Sequence, residues 1–91
     1  MVHRPTLRQL EYAVAVADAG HFGRAAALAA VSQPGLSGQI RELEERLGVT
    51  LFERDRRGVR CTPAGEEVVT RARAVAVRSV TGLVPTSTMI A

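Results

Sequence analysis

Residues 22–48 read FGRAAALAAVSQPGLSGQIRELEERLG, and the fold turns on this stretch. Phe22 to Ala29 holds Arg24-Ala25-Ala26-Ala27-Leu28, a run of high helix propensity whose small alanines let another helix come close. Ser32 is a good N-cap, and Pro34 is tolerated only in a helix's first turn, so a turn must separate this short helix from the next. The next runs from Gln33 to about Leu47 and stops at Gly48. Leu36, Ile40, Leu43 and Leu47 fall at i, i+4, i+7 and i+11 and mark its buried stripe. A short helix, a tight turn and a longer capped helix make a helix-turn-helix over about residues 22–41.

The opposite face of the longer helix carries Pro34, Ser37, Gly38 and Arg41, with Gln33 on the flank. Gln, Ser and Arg can bond base edges in a major groove, and Gly38 lets a helix lie close to DNA. Glu42, Glu44 and Glu45 all fall in the C-terminal half. That gradient turns the N-terminal end, with its free amides and positive dipole, toward phosphates. The alternative is an ordinary solvated face; a short helix and tight turn ahead of it favour recognition.

Working outward, Thr6 and Gln9 form a capping-box pair that opens a helix from about Leu7 to Ala19, closed by Gly20. Leu7, Leu10, Val14 and Ala17 give its apolar stripe, widened by Ala13 and Val16. Downstream, Leu51-Phe52-Glu53 and Val59-Arg60-Cys61 flank Arg54-Asp55-Arg56-Arg57-Gly58, which predicts a small β-hairpin, a wing, over about 51–61. Arginines at its tip suit phosphate or a minor groove, although they also serve simple solubility. Thr62 and Pro63 start a last helix over 62–80. Its apolar residues Val68, Val69, Ala72, Val75, Ala76 and Val80 pack either on the first helix or on a second subunit, and the length of the stripe favours the subunit. Residues 81–91, uncharged and containing Gly82 and Pro85, read as an irregular tail.

Composition agrees. A chain of 91 residues makes one small domain, 46% of it hydrophobic and only 3% aromatic, so Ala, Val and Leu must build the core. Twelve basic residues face nine acidic ones for a net charge of +3, and every basic residue is arginine. Coding bias toward arginine accounts for part of that; the cluster from Arg54 to Arg60 is a local positive patch regardless. One cysteine, Cys61, excludes a disulfide framework or cysteine metal cluster. No apolar run is long enough to span a membrane and no signal-peptide pattern opens the chain, so a cytoplasmic setting is expected. His3 and His21 have no nucleophile or ligand set beside them, which argues against an enzyme, and no cofactor or metal is implied.

Many fixed spacings now coincide: Leu10-Glu11-Tyr12, Gly20 to Ala26, Val31-Ser32-Gln33-Pro34, Leu36-Ser37, Gln39-Ile40, Leu43-Glu44, Leu47-Gly48-Val49, Leu51-Phe52-Glu53-Arg54 and Thr62-Pro63-Ala64-Gly65. Over about residues 6–80 the chain resembles the N-terminal DNA-binding domain of LysR-type transcriptional regulators. Gly38-Gln39, with His21-Phe22 before it, resembles the peroxide-responsive branch. The resemblance implies a mainly α fold: a winged helix-turn-helix (three-helix core plus hairpin wing, residues 6–61) followed by a linker helix. It implies sequence-specific binding to double-stranded DNA, on an interrupted inverted repeat, by a homodimer paired through that helix. By position, Gln33, Pro34 and Ser37 would meet bases or phosphates, while Gly38 stands where many members carry Arg. Ser32 would cap the recognition helix and reach the DNA backbone, Arg24 would hold a phosphate, and Arg54, Arg56 and Arg57 would flank the site. The family's inducer-binding effector domain has no counterpart here, so no small-molecule site is expected. A fragment, a natural short product and a frame change near Thr81 all fit that expectation. The rival function is a truncated pairing module acting through mixed dimers with full-length regulators.

Overall fold

The computed structural model describes residues 4–81, with side chains to Val75. Four helices and one hairpin follow in the order α1 (Leu7–Ala19), α2 (Phe22–Ala29), α3 (Gln33–Leu47), β1 (Phe52–Asp55), β2 (Gly58–Cys61) and α4 (Pro63–Thr81). The winged helix-turn-helix expected from the sequence is the fold found. The tail expected at 81–91 lies outside the described residues, apart from Thr81, which ends α4.

Local chemistry sets the boundaries. The Gln9 amide N–H donates to Thr6 Oγ1 at 3.0 Å while the Thr6 N–H donates to Gln9 Oε1 at 3.1 Å, a closed capping box at the start of α1. Ser32 Oγ accepts from the Gly35 N–H at 3.0 Å, with Pro34 in the same first turn of α3. Thr62 Oγ1 accepts from the Gly65 N–H at 2.9 Å and opens α4. Helix α2 ends differently, on Ala30 at φ 60, a left-handed conformation that a Cβ makes costly.

Helix α1 lies at the centre, against α2, α3 and α4. Its most buried line is Gln9, Ala13 and Val16 rather than Leu7, Leu10, Val14 and Ala17, because α3 and α2 pack on that side; Leu7 is 44% exposed. Leu36, Ile40 and Leu43 of α3 are buried, as their spacing requires, and Leu47 closes the edge of the cluster. Leu51 and Phe52 carry the hairpin into the same core, where Phe52 meets Phe22 edge-on with ring centroids 6.4 Å apart.

The hairpin is antiparallel in the register Phe52↔Cys61, Glu53↔Arg60, Arg54↔Val59 and Asp55↔Gly58, leaving Arg56 and Arg57 as the turn. Its base is tied down at several points. The Val59 N–H donates to the Gly20 carbonyl at 3.0 Å, and Gly58 (φ 135) passes so near that a Cβ would stand 2.5 Å from the same oxygen. The Thr62 hydroxyl donates to the Thr50 carbonyl, the Thr62 N–H donates to the Leu51 carbonyl, and the buried Gly65 leaves no room for a Cβ against that carbonyl.

The linker helix brings a correction. Val69 (5% exposed) packs in the chain's own core, and Ala72 (2%) is buried at the floor of an apolar groove beside Leu10 and Leu47, so neither stands out as the exposed apolar surface expected of a partner face. The short α1 and the long α4 overlap side by side, and Arg73 binds Asp18 across them with both guanidinium nitrogens. What remains outward is Val75, 42% exposed, with the half-buried Val68. The side chains of Ala76 and Val80 lie outside the described residues. Among the described residues no helix is long and apolar enough to cross a membrane, and no group of three or more His, Cys, Asp or Glu gathers to hold a metal.

Candidate nucleic-acid interface

One end of the molecule brings α2, the N-terminal half of α3 and the wing together. Gln33, Pro34, Gly38 and Arg41 are all exposed on one side of α3, and a Cβ at Gly38 would meet open space. The Gln33 amide lies against the backbone of Gly23 at the start of α2. Arg24 is exposed one residue further along α2, and Arg56 and Arg57 form the exposed tip of the wing. Between these parts runs an open cleft of about 200 Å³, with His21, Gly23, Gln33, Arg54 and Arg56 on its walls.

Ser32 Oγ accepts from the Gly35 amide, the capping role expected of it, and keeps its own proton free to donate. Arg54 reaches from the wing to α3 at the edge of the cleft: its guanidinium carbon lies 4.0 Å from the centroid of the Phe22 ring, and Nη2 donates to Ser37 Oγ at 2.8 Å. Ser37 itself is half-buried.

Several arginines are matched with carboxylates: Arg46 with Glu42 at 3.0 Å, Arg60 of the wing with Asp55 at 3.2 Å, Arg71 with Glu67 at 3.0 Å, and Arg73 with Asp18. Among the described residues seven arginines have no carboxylate partner: Arg4 and Arg8 near the start of α1, and Arg24, Arg41, Arg54, Arg56 and Arg57, which gather at this end. The hydrogen bond from Arg73 holds the Asp18 carboxyl below its ordinary range, in a surface ion pair that is not part of the cleft lining. Burial, and then the Glu66 carboxylate, push the Cys61 thiol up, which suits a packing thiol rather than a reactive one.

Two residues that hold the interface in shape had no such role in the sequence reading. Glu44 Oε2 accepts from the Leu51 N–H at 2.8 Å and the Phe52 N–H at 3.3 Å, fixing the wing to the recognition helix. Gln9, 1% exposed, donates through Nε2 to Gln39 Oε1 at 3.2 Å and Glu42 Oε2 at 2.8 Å, joining α1 to α3. Periodicity hides both, since Gln9 reaches 30 and 33 residues along the chain and Glu44 reaches past the end of its own helix. The acidic half of α3 therefore works as scaffold, which leaves the other half to the ligand.

Residues 7–66 match the family described as bacterial regulatory helix-turn-helix protein, lysR family. The chain belongs to the LysR family. It is 53% identical over 73 residues to the HTH-type transcriptional regulator EstR of Acinetobacter baylyi, covering 80% of this chain and 24% of that protein. It is 56% identical over 69 residues to the DNA-binding transcriptional dual regulator OxyR of Escherichia coli, covering 76% of this chain and 23% of OxyR. The similarity to OxyR agrees with the resemblance of Gly38-Gln39 to the peroxide-responsive branch of the family. This LysR-family chain thus spans about a quarter of the length of the curated relatives it matches. Among solved structures, the DNA-binding domain of CbnR in complex with DNA superposes with a TM-score of 0.80 at 40% identity, covering 85% of this chain and 88% of that one.

Proposed function

We propose that this chain is the DNA-reading unit of a LysR-type transcriptional regulator, binding double-stranded DNA with α3 in the major groove and the wing tip on the flanking backbone. The observation that carries it is a cluster of charge: five of the seven arginines left without carboxylates among the described residues, Arg24, Arg41, Arg54, Arg56 and Arg57, gather about the exposed face of α3, an arrangement that calls for an anionic partner. Gln33 and Ser37 supply the base-edge contacts, Arg24, Arg56 and Arg57 the phosphate contacts, and Pro34 and Gly38 the close approach. The relatives' names and the CbnR–DNA complex support the same reading.

The unit works as a dimer in this proposal. An apolar groove bounded by Leu10, Leu47, Val68 and Val75 runs along α4 with almost no polar lining, and α4 of a second copy fits its chemistry. Two copies related by a twofold axis would face an interrupted inverted repeat. The groove also favours a second reading, pairing with full-length family members in mixed dimers. DNA contact would then be secondary.

Fluorescence anisotropy with an interrupted-palindrome duplex and a scrambled control, at about 50 and 200 mM salt, tests the proposal. Preference for the palindrome at the higher salt supports a specific dimer. Equal and steeply salt-dependent binding to both duplexes removes the dimer and keeps the groove-reading face. No binding at either salt overturns the DNA reading, and heterodimers with a full-length homologue would then establish the pairing module.

A further inference from the structure

Ser37 stands in the middle of the exposed face of α3, and its Oγ is the acceptor for Arg54 Nη2 at 2.8 Å. The Arg54 guanidinium is held from its other side by the Phe22 ring, which is buried against Phe52. Its strand is fixed in turn by Glu44 through the amides of Leu51 and Phe52. The guanidinium is thus placed by two direct contacts, Phe22 and Ser37, on a strand that Glu44 anchors, while the rest of the side chain stays exposed.

The chemistry of that contact is one-sided. A free serine hydroxyl both donates and accepts, so it pairs with either kind of base edge and discriminates poorly. A guanidinium can only donate. One lone pair of Ser37 Oγ is therefore taken, and a second N–H donor approaching the other would come up beside a positive charge. The hydroxyl proton has no protein acceptor among the described residues, and donation from the cation polarises the O–H bond and strengthens it as a donor.

We infer that Arg54 is a specificity-setting positioning residue: it fixes Ser37 as a hydrogen-bond donor toward the DNA. The hydroxyl then selects an acceptor in the major groove (purine N7, guanine O6 or thymine O4) and rejects the exocyclic amino groups of cytosine and adenine. This rests on the DNA reading above and adds to it the polarity of one contact. A plain phosphate contact by Arg54 would instead strengthen binding to every sequence alike.

Selection from a pool of duplexes with randomised half-sites, followed by sequencing, tests it with the full chain and its Ser37→Ala, Ser37→Thr, Arg54→Met, Arg54→Gln and Arg54→Lys variants. Met keeps an aliphatic stem over Phe22 and removes the donors; Gln loses the charge and restores an acceptor, and it decides the matter if the Met variant does not fold. Ser37→Ala and Arg54→Met, or Arg54→Gln, should blur the same single position of the half-site. The preference for guanine or thymine over cytosine there should fall from about tenfold to about twofold, with other positions unchanged. Ser37→Thr and Arg54→Lys should keep that preference. Uniform weakening by Arg54→Met with a salt slope shallower by about one would make Arg54 a phosphate contact and overturn the inference. So would a wild-type pattern that Ser37→Ala leaves untouched. If the wild-type chain selects no sequence at all, the DNA reading itself fails and this inference with it.

Discussion

Glu44→Ala should detach the wing from the recognition helix. One carboxylate oxygen of Glu44 accepts two backbone amides, Leu51 at 2.8 Å and Phe52 at 3.3 Å. Hydrogen bonds to a charged acceptor are each worth about 1.5–3 kcal/mol, and a lost partner leaves the amide desolvated. Here the first bond is well formed, the second is long, and Glu44 is only half-buried. We therefore expect a loss of about 2–3 kcal/mol, a large share of the 5–15 kcal/mol or so of a small domain. At roughly 4–8 °C per kcal/mol, the melting temperature should fall by about 10–20 °C. Glu44→Gln keeps an acceptor oxygen without the charge and should cost about 1 kcal/mol. Urea unfolding followed by circular dichroism gives the stability, and hydrogen exchange at the Leu51 and Phe52 amides shows whether the wing has been freed. Below the transition, DNA affinity should fall further than stability alone accounts for, because Arg54 and the tip lose their register with α3. An Ala variant within about 0.5 kcal/mol of wild type, with the two amides still protected, would refute the clamp.

Arg57→Ala should weaken binding to all duplexes and make the plot of log K against log salt shallower by about one, with base preference retained; a changed preference at constant slope would reassign the residue to base reading. Ala30→Gly should stabilise the domain by about 1 kcal/mol, because Ala30 sits at φ 60 where a Cβ is penalised, and a denaturant midpoint checks it. Asp18→Asn tests the α1–α4 tie. Arg73 lowers the Asp18 carboxyl, so the pair stabilises the fold above the ordinary carboxylate range, and that contribution is lost as pH falls through the lowered folded value. The pair is more than half exposed on the Asp18 side, so the effect should be only about 0.2–1 kcal/mol near neutral pH. Urea midpoints of wild type and variant should differ there and converge in strong acid.

What the sequence made legible was whatever is settled within one or two helical turns. Thr6 with Gln9, Ser32 with Pro34, and Thr62 with Pro63 act on amides three residues away or set the first turn, so they marked helix starts that the structure reproduces. The hairpin was legible for the same reason, since its turn residues and flanking β-prone runs are neighbours. Contacts across the fold left weaker traces. Gln9 serves its own helix and also reaches Gln39 and Glu42, and only the first role has a spacing. Arg54 belonged to an arginine cluster, and nothing in that cluster distinguished the side chain that folds back onto Phe22 from the two at the tip. Val69 and Ala72 carried the same apolar signal as Val75; which of them faces α1 depends on the rotation of α4 about its axis, and that is set by packing.

The anchors of the wing all lie below its turn. Glu44 holds the first strand where it begins, Gly20 holds the second through Val59, and Thr62 holds the exit. Arg56 and Arg57 touch none of these. The tip is therefore an interchangeable part, able to gain or lose charge or a residue while the helix that reads bases stays where it is. Overall grip on the double helix and choice of sequence can then drift independently among descendants of this domain, one through the two tip positions and the other through α3.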